Sequence, residues 1–216
     1  MSKPGFPLQR INGHSDCTVP HNGAYHARSP LLNPLPQAGE ETNESLREFF
    51  LIRWDVELCQ LCNRQSRHLP VRNLFRIISR LGDGVFWYML MAVLLLRYQA
   101  EALPAVLHML AIGLASAAAY KLIKGRTSRP RPFNVCPGIV CAGKTLDRFS
   151  FPSGHTLHAV AFGIVAVAYY PALLWLVLPF TVLVALSRPI LGLHYPSDVL
   201  AGAAIGATLA IASLSI

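Results

Sequence analysis

Three stretches of this chain, Ala102–Tyr120, Phe149–Ser187 and Val199–Ile216, contain no Asp, Glu, Lys or Arg. A hydrocarbon core about 30 Å thick takes roughly 20 helical residues to cross, so the longest stretch holds two crossings and each of the others holds one. The overall balance, 53% hydrophobic against 14% charged over 216 residues, points the same way and excludes a soluble single domain, a disordered protein and a collagen-like fibre. Residues 1–44 differ in kind. They carry Pro, Gly, Asn, Ser and His without periodicity and read as a disordered tail with no core to bury.

From Ser45 the pattern becomes helical. Ser45-Leu46-Arg47-Glu48 fits a capping box, and Leu46, Phe50, Trp54, Leu58 and Leu61 share one stripe. Arg47, Glu48, Arg53, Asp55 and Glu57 lie opposite. A charge at the bilayer midplane costs about 2.5–3.5 kcal/mol, so this helix is expected on the membrane surface or packed on the bundle. After Pro70, Val71, Leu74, Phe75 and Ile78 oppose Arg72, Arg76 and Arg80, a spacing that suits anionic lipid headgroups or a solvated face. Gly82-Asp83-Gly84 interrupts the pattern. The expected spans are then Val85–Tyr98, with Arg97 snorkelling at its end, Ala102–Ile123, Ser153–Tyr170, Ala172–Ser187 and Asp198–Ile216. The expected fold is an all-α polytopic membrane bundle of about five transmembrane helices with an N-terminal interfacial amphipathic helix. It divides into a tail (1–44), interfacial helices (45–82) and a transmembrane domain (83–216). Alternating direction brings the end of span two, the start of three, the end of four and the start of five to one membrane face.

The formal net charge is +8, which calls for an acidic partner. From Gly84 onward nine Lys and Arg face three acids, and six of the nine (Lys121, Lys124, Arg126, Arg129, Arg131 and Arg188) flank apolar runs. Basic residues pressed against a bilayer point to lipid phosphate, and no aromatic-interleaved basic stretch supports nucleic acid. Of the five cysteines, Cys59 and Cys62 read as small apolar residues on a helix, while Cys136 and Cys141 could bridge in an oxidising compartment. Lys3 has no apolar segment behind it, so no cleaved signal peptide is expected.

Three segments at the shared face carry chemistry. Lys124 is followed after six residues by Arg131-Pro132, Phe151-Pro152-Ser153-Gly154-His155 opens span three, and Ser187-Arg188 is followed by His194 and Asp198. Phosphoryl transfer spreads charge over three oxygens that fixed cations and backbone N–H groups stabilise. Lys124, Arg131 and Arg188 supply cations, the arginines in bidentate form. Ser153 near the N-cap and Gly154 beside it let helix N–H groups approach an anion. Each feature alone has an ordinary reading, as a juxtamembrane basic cluster, a helix cap or a snorkelling arginine. A zinc site from His155, His158, His194 and Asp198 is the rival, opposed by three arginines that would repel a dication. His158 and His108 read as packed or hydrogen-bonded polar residues.

Taken in order and at these spacings, the three segments resemble the signature of the type 2 phosphatidic acid phosphatase family, which shares its phosphate site with vanadium-dependent haloperoxidases. The resemblance covers about 75 residues and implies that His194 is a nucleophile forming a phosphohistidine. It further implies that Asp198 orients His194, that His155 is the general acid, and that no cofactor or divalent metal is required. A membrane lipid phosphate is the substrate class it implies, with undecaprenyl diphosphate placed ahead of phosphatidate and phosphatidylglycerophosphate. Alternatives are a lipid-phosphate binder or transporter without turnover, and a haloperoxidase, disfavoured because those relatives are soluble. Bacterial members generally face the periplasm, whereas Lys121, Lys124, Arg126, Arg129, Arg131, Lys144, Arg148 and Arg188 against Arg97 favour the cytoplasm by the positive-inside rule. Since several of those charges serve chemistry, the expectation is an inner-membrane protein with a periplasmic site.

Overall fold

The computed structural model describes residues 43–136, 138–145 and 147–215, with side chains from Arg53 onward. The expected tail therefore lies, but for two residues, outside the described residues, as do the side chains of Leu46, Phe50 and the Ser45–Glu48 capping box. The described part is helical: α1 (Asn43–Arg64), α2 (Leu69–Arg80), α3 (Phe86–Tyr98), α4 (Leu103–Lys124), a short α5 (Pro132–Val135), α6 (Gly154–Tyr169), α7 (Leu174–Ile190) and α8 (Pro196–Leu214). The five expected spans correspond to α3, α4, α6, α7 and α8.

At 1.5 Å per residue, α4 is about 33 Å long, α8 about 28 Å and α7 about 26 Å, each close to a bilayer core, while α6 reaches about 24 Å. By itself α3 covers only about 20 Å. Before it, Gly82-Asp83-Gly84 kinks the chain over Leu81–Val85, between α2 and α3. Gly84 permits this with φ 128°, a conformation that side chains disfavour. After α3, Gln99 at φ 48° turns the chain back into α4.

Helix α6 is the centre of the bundle, packed against α4, α7 and α8. Its contact with α8 is close because Gly202 and Gly206, four residues apart, carry no side chain. A Cβ at Gly202 would lie 2.5 Å from the Ser153 carbonyl oxygen, and one at Gly206 would overlap the Leu157 carbonyl. Small residues at this spacing let membrane helices touch backbone to backbone. Elsewhere the core is aromatic and aliphatic: Trp87 stacks on Phe162 at 5.2 Å between ring centroids, with Met109, Val165 and Val184 fully enclosed. The outward faces are apolar too, with Leu96, Leu114 and Trp175 more than 70% exposed. Such a surface is stable where the solvent is lipid.

Helix α1 turns a mixed face inward, neither its apolar stripe nor its charged side, since Arg53 and Glu57 are exposed as well. Trp54 and Leu61 face outward, 49% and 56% exposed, while Asp55, Val56, Cys59 and Asn63 are buried against the bundle. The helix packs on α7 and α8, and its inward polar residues are all engaged. Asn63 donates to the carbonyls of Val140 and Ile190, both at 3.0 Å, and accepts from the Val140 N–H at 2.8 Å.

Candidate active site

Four helix ends and two loops converge where the sequence places them. After α4 the chain runs antiparallel beside the segment before α6: Pro130 bridges Phe149, Ser150 N donates to Arg129 O at 2.9 Å, and Thr127 Oγ1 donates to Phe151 O at 2.9 Å. This fixes Arg131, which donates through Nη1 to Leu193 O at 2.8 Å and so ties that loop to the one carrying His194. The start of α6 is tied to the start of α8 by Ser153 N donating to Asp198 O at 3.0 Å. All eight predicted residues, Lys124, Arg131, Ser153, Gly154, His155, Arg188, His194 and Asp198, thus gather at one end of the bundle.

His194 is 2% exposed. Burial first, then the positive charges of Arg188, Arg131 and Lys124, hold its pKa well below the ordinary value, so the ring is neutral. Its Nε2 lies 3.4 Å from Arg131 Nη1. Its Nδ1 lies 3.7 Å from Asp198 Oδ2, too long for a hydrogen bond, and is unpartnered. The expected His194–Asp198 bond is therefore not closed. Asp198 is taken instead by the Tyr195 N–H at 2.9 Å and by Arg129 Nη1 at 2.7 Å.

Ser153 is the N-cap residue of α6, but its hydroxyl meets Thr156 Oγ1 at 3.0 Å and makes no capping bond. Gly154 has a steric role: a Cβ there would come within 2.7 Å of the Tyr120 ring. His155 is paired through Nε2 with Asp83, which the kink between α2 and α3 brings to it. The two also line a cavity of about 530 Å³ between α3, α4 and α6, whose wall includes the outward-facing Tyr88, Leu110 and Leu114. Arg188, 2% exposed, donates to Ser79 Oγ at 2.6 Å and keeps a buried, unpartnered Nε.

Several site residues were not foreseen. Asp147 lies between two of the cations, with Oδ1 at 2.6 Å from Lys124 Nζ and 2.7 Å from Arg131 Nη2, and with Oδ2 accepting from the Tyr120 hydroxyl. Burial would raise its pKa, but the Lys124 and Tyr120 hydrogen bonds and the Arg131 charge outweigh that and hold it below the ordinary carboxylate value. Asp55 receives Arg129 Nη2 at 2.5 Å, Ser197 N at 2.9 Å and the Ser197 hydroxyl. Arg129 therefore serves two carboxylates, Asp55 and Asp198, rather than attracting lipid from outside. A signal for Asp147 was available, since it is one of only three acids after Gly84, the others being Glu101 and Asp198. Asp55 gave none, being one of several charges on its helix.

Cys136 is a free, buried thiol, so the Cys136–Cys141 bridge is not formed, although Cys141 is itself disulfide-bonded. Cys136 lies beside the Tyr195 hydroxyl, and burial raises its pKa. Cys59 is likewise free and fully buried. His158 donates through Nδ1 to Gly154 O at 2.8 Å, and His108 bridges Tyr169 and Ser213, so both are the hydrogen-bonded polar residues expected.

The fold is that of a helical membrane protein, with basic residues gathered around buried His194 at one end of the bundle. The chain belongs to the PAP2 superfamily, whose pattern matches residues 104–216. It is 29% identical over 170 residues to the undecaprenyl-diphosphatase of Sulfolobus acidocaldarius, covering 76% of this chain and 79% of that one. It is 40% identical over 90 residues to the decaprenylphosphoryl-5-phosphoribose phosphatase of Mycobacterium tuberculosis, covering 41% of this chain and 48% of that one. Its fold is similar to the crystal structure of Aquifex aeolicus LpxE, with TM-score 0.59 and 24% identity over 74% of this chain and 94% of that one. It is similar also to the first transmembrane PAP2-type phosphatidylglycerolphosphate phosphatase from Bacillus subtilis, with TM-score 0.59 and 24% identity over 81% and 87%.

Proposed function

We propose that this chain hydrolyses a phosphomonoester or diphosphate of a membrane lipid through a phosphohistidine on His194. The observation that carries the reading is the neutral, buried His194 ringed by Lys124, Arg131 and Arg188. A neutral imidazole is nucleophilic, and the three cations stabilise charge on the transferring phosphoryl oxygens. His155 protonates the leaving lipid oxygen, and the α6 N-terminus at Ser153 and Gly154 adds N–H groups to the anion site. Asp198 orients His194 once substrate closes the 3.7 Å gap, since catalytic hydrogen bonds are commonly long before substrate binds. Three protein cations supply the positive charge, so the reaction needs no metal and should survive chelation by EDTA.

The cavity beside His155 opens on the lipid-facing side, where an anchored substrate can bring its headgroup to the site. Undecaprenyl diphosphate is the substrate placed first, supported by the similarity to an undecaprenyl-diphosphatase along most of both chains. Phosphatidate and phosphatidylglycerophosphate are the comparison substrates. The test is phosphate release from each lipid in detergent, with acid-labile, base-stable label trapped on the protein during brief turnover. Label on wild-type and none on His194→Ala, with activity lost, supports the reading. Full activity in His194→Ala refutes it, and binding of lipid phosphate without turnover returns the chain to the binder or transporter class.

We further place the protein in the inner membrane with the site facing the periplasm. Cys136 is too buried to report on this, whereas Lys144 on the same face is exposed. Lys144→Cys in intact cells should react with an impermeant maleimide, and protection until the cells are lysed would reverse the orientation.

A further inference from the structure

Asp147 occupies the place where the substrate's phosphate is expected. Its carboxylate shares Oδ1 between Lys124 and Arg131 and takes the Tyr120 hydroxyl on Oδ2, while Arg131 Nε also donates to its carbonyl at 3.1 Å. The substitution is incomplete. Arg188 Nε and His194 Nδ1, both deeply buried, remain without partners. A carboxylate offers one charge and two oxygens, enough for Lys124, Arg131 and Tyr120 but not for Arg188. A terminal phosphate offers up to two charges and three free oxygens, enough for all of them.

From this we infer that Asp147 is an internal competitor that selects the substrate: it yields the cation cradle to a terminal phosphate and withholds it from phosphodiesters. The selection follows from charge and acceptor count. A phosphodiester headgroup, such as that of phosphatidylglycerol, carries one negative charge and two free oxygens, the same as the aspartate it would displace. It gains nothing over a carboxylate already tethered at the site. A phosphomonoester or diphosphate end gains the Arg188 contact and extra charge. In a membrane, where phosphodiester lipids surround the protein at high local concentration, a cradle of three cations without such a screen would stay filled by bulk headgroups. Asp147 is partly exposed, 29% at its side chain, so it has room to swing outward. The inference rests on the reading of Lys124, Arg131 and Arg188 as the phosphate cradle.

The experiment measures KM for the lipid substrate and inhibition constants for inorganic phosphate and for phosphatidylglycerol, in mixed micelles of fixed composition, on wild-type, Asp147→Asn and Asp147→Ser. If the closed form outweighs the open one by about ten to one, both variants should bind inorganic phosphate about tenfold more tightly, since apparent affinity scales with the open fraction. They should also become sensitive to phosphatidylglycerol at concentrations the wild-type ignores, with kcat changing less than either constant. Phosphate and phosphatidylglycerol inhibition unchanged in both variants, or weakened because Lys124 and Arg131 lose their anchor, would overturn the inference. Lack of phosphatase activity in the wild-type would instead overturn the reading of the site, so the two failures are distinguishable.

Discussion

Replacing Asp55 tests whether α1, which precedes the 104–216 stretch matched by the family, belongs to the working site. Its carboxylate is 3% exposed and takes Arg129 Nη2 at 2.5 Å, the Ser197 N–H at 2.9 Å and the Ser197 hydroxyl. In Asp55→Ala the Ser197 N–H, in the first turn of α8 where no intrahelical acceptor exists, loses its partner at about 1–3 kcal/mol. Arg129 is 30% exposed and keeps Asp198, so its lost bond is placed near the lower end, about 1 kcal/mol. The sum is about 3 kcal/mol, or roughly 6–12 °C in Tm for a chain of this length. Asp55→Asn retains an acceptor for Ser197 and should lose only about 1 kcal/mol. The functional consequence is separate. Without Asp55, the Arg129 charge falls wholly on Asp198 and draws that carboxylate away from His194 Nδ1, 3.7 Å away. Asp55→Asn should therefore lower kcat more than it lowers Tm or raises KM. Thermal unfolding in detergent and steady-state kinetics on the same preparations measure both. An Asp55→Ala protein melting within 2 °C of wild-type, with unchanged kcat, would show that the network carries neither stability nor orientation.

Two further outcomes follow from the geometry. His194 has a pKa lowered by burial and by Arg188, Arg131 and Lys124, so below about pH 6.5 the unfolded chain binds a proton that the folded chain refuses. The stability contributed by the neutral ring is thus full above pH 6.5 and falls as pH drops, and a nucleophile-dependent acid limb of kcat/KM should appear well below 6.5. A His194 ring that titrates near 6.5 in the folded protein, followed by its imidazole NMR signals, would contradict this. Gly206→Val would press a branched side chain onto the Leu157 carbonyl, a backbone atom that cannot rotate away, and should destabilise the α6–α8 contact by about 3 kcal/mol. Equal thermal stability of Gly206→Val and wild-type would mean that the two helices are not held backbone to backbone.

What the sequence made legible and what it hid have one physical cause. Lys124, Arg131, His155, Arg188, His194 and Asp198 were legible because they border charge-free spans, and helices that alternate direction must gather those borders at one face. Asp83 and Asp55 were not, because a carboxylate's partner is chosen by loop and helix packing that no spacing rule encodes. The inward face of α1, which mixes Asp55 and Asn63 with Val56 and Cys59, is more instructive. With water on the far side, apolar surface would be driven inward. Against lipid that drive disappears, and the cost that remains is that of polar groups left without partners. Asp55 and Asn63 must then find donors and acceptors, and the place that offers them is the polar floor of the site, at Arg129, Ser197, Val140 and Ile190. On α2 the inward face is likewise mixed: Ile78 and Phe75 join the apolar core, while Ser79 beside them receives Arg188 at 2.6 Å, so a polar residue turned inward on a flanking helix marks where the bundle offers it a partner.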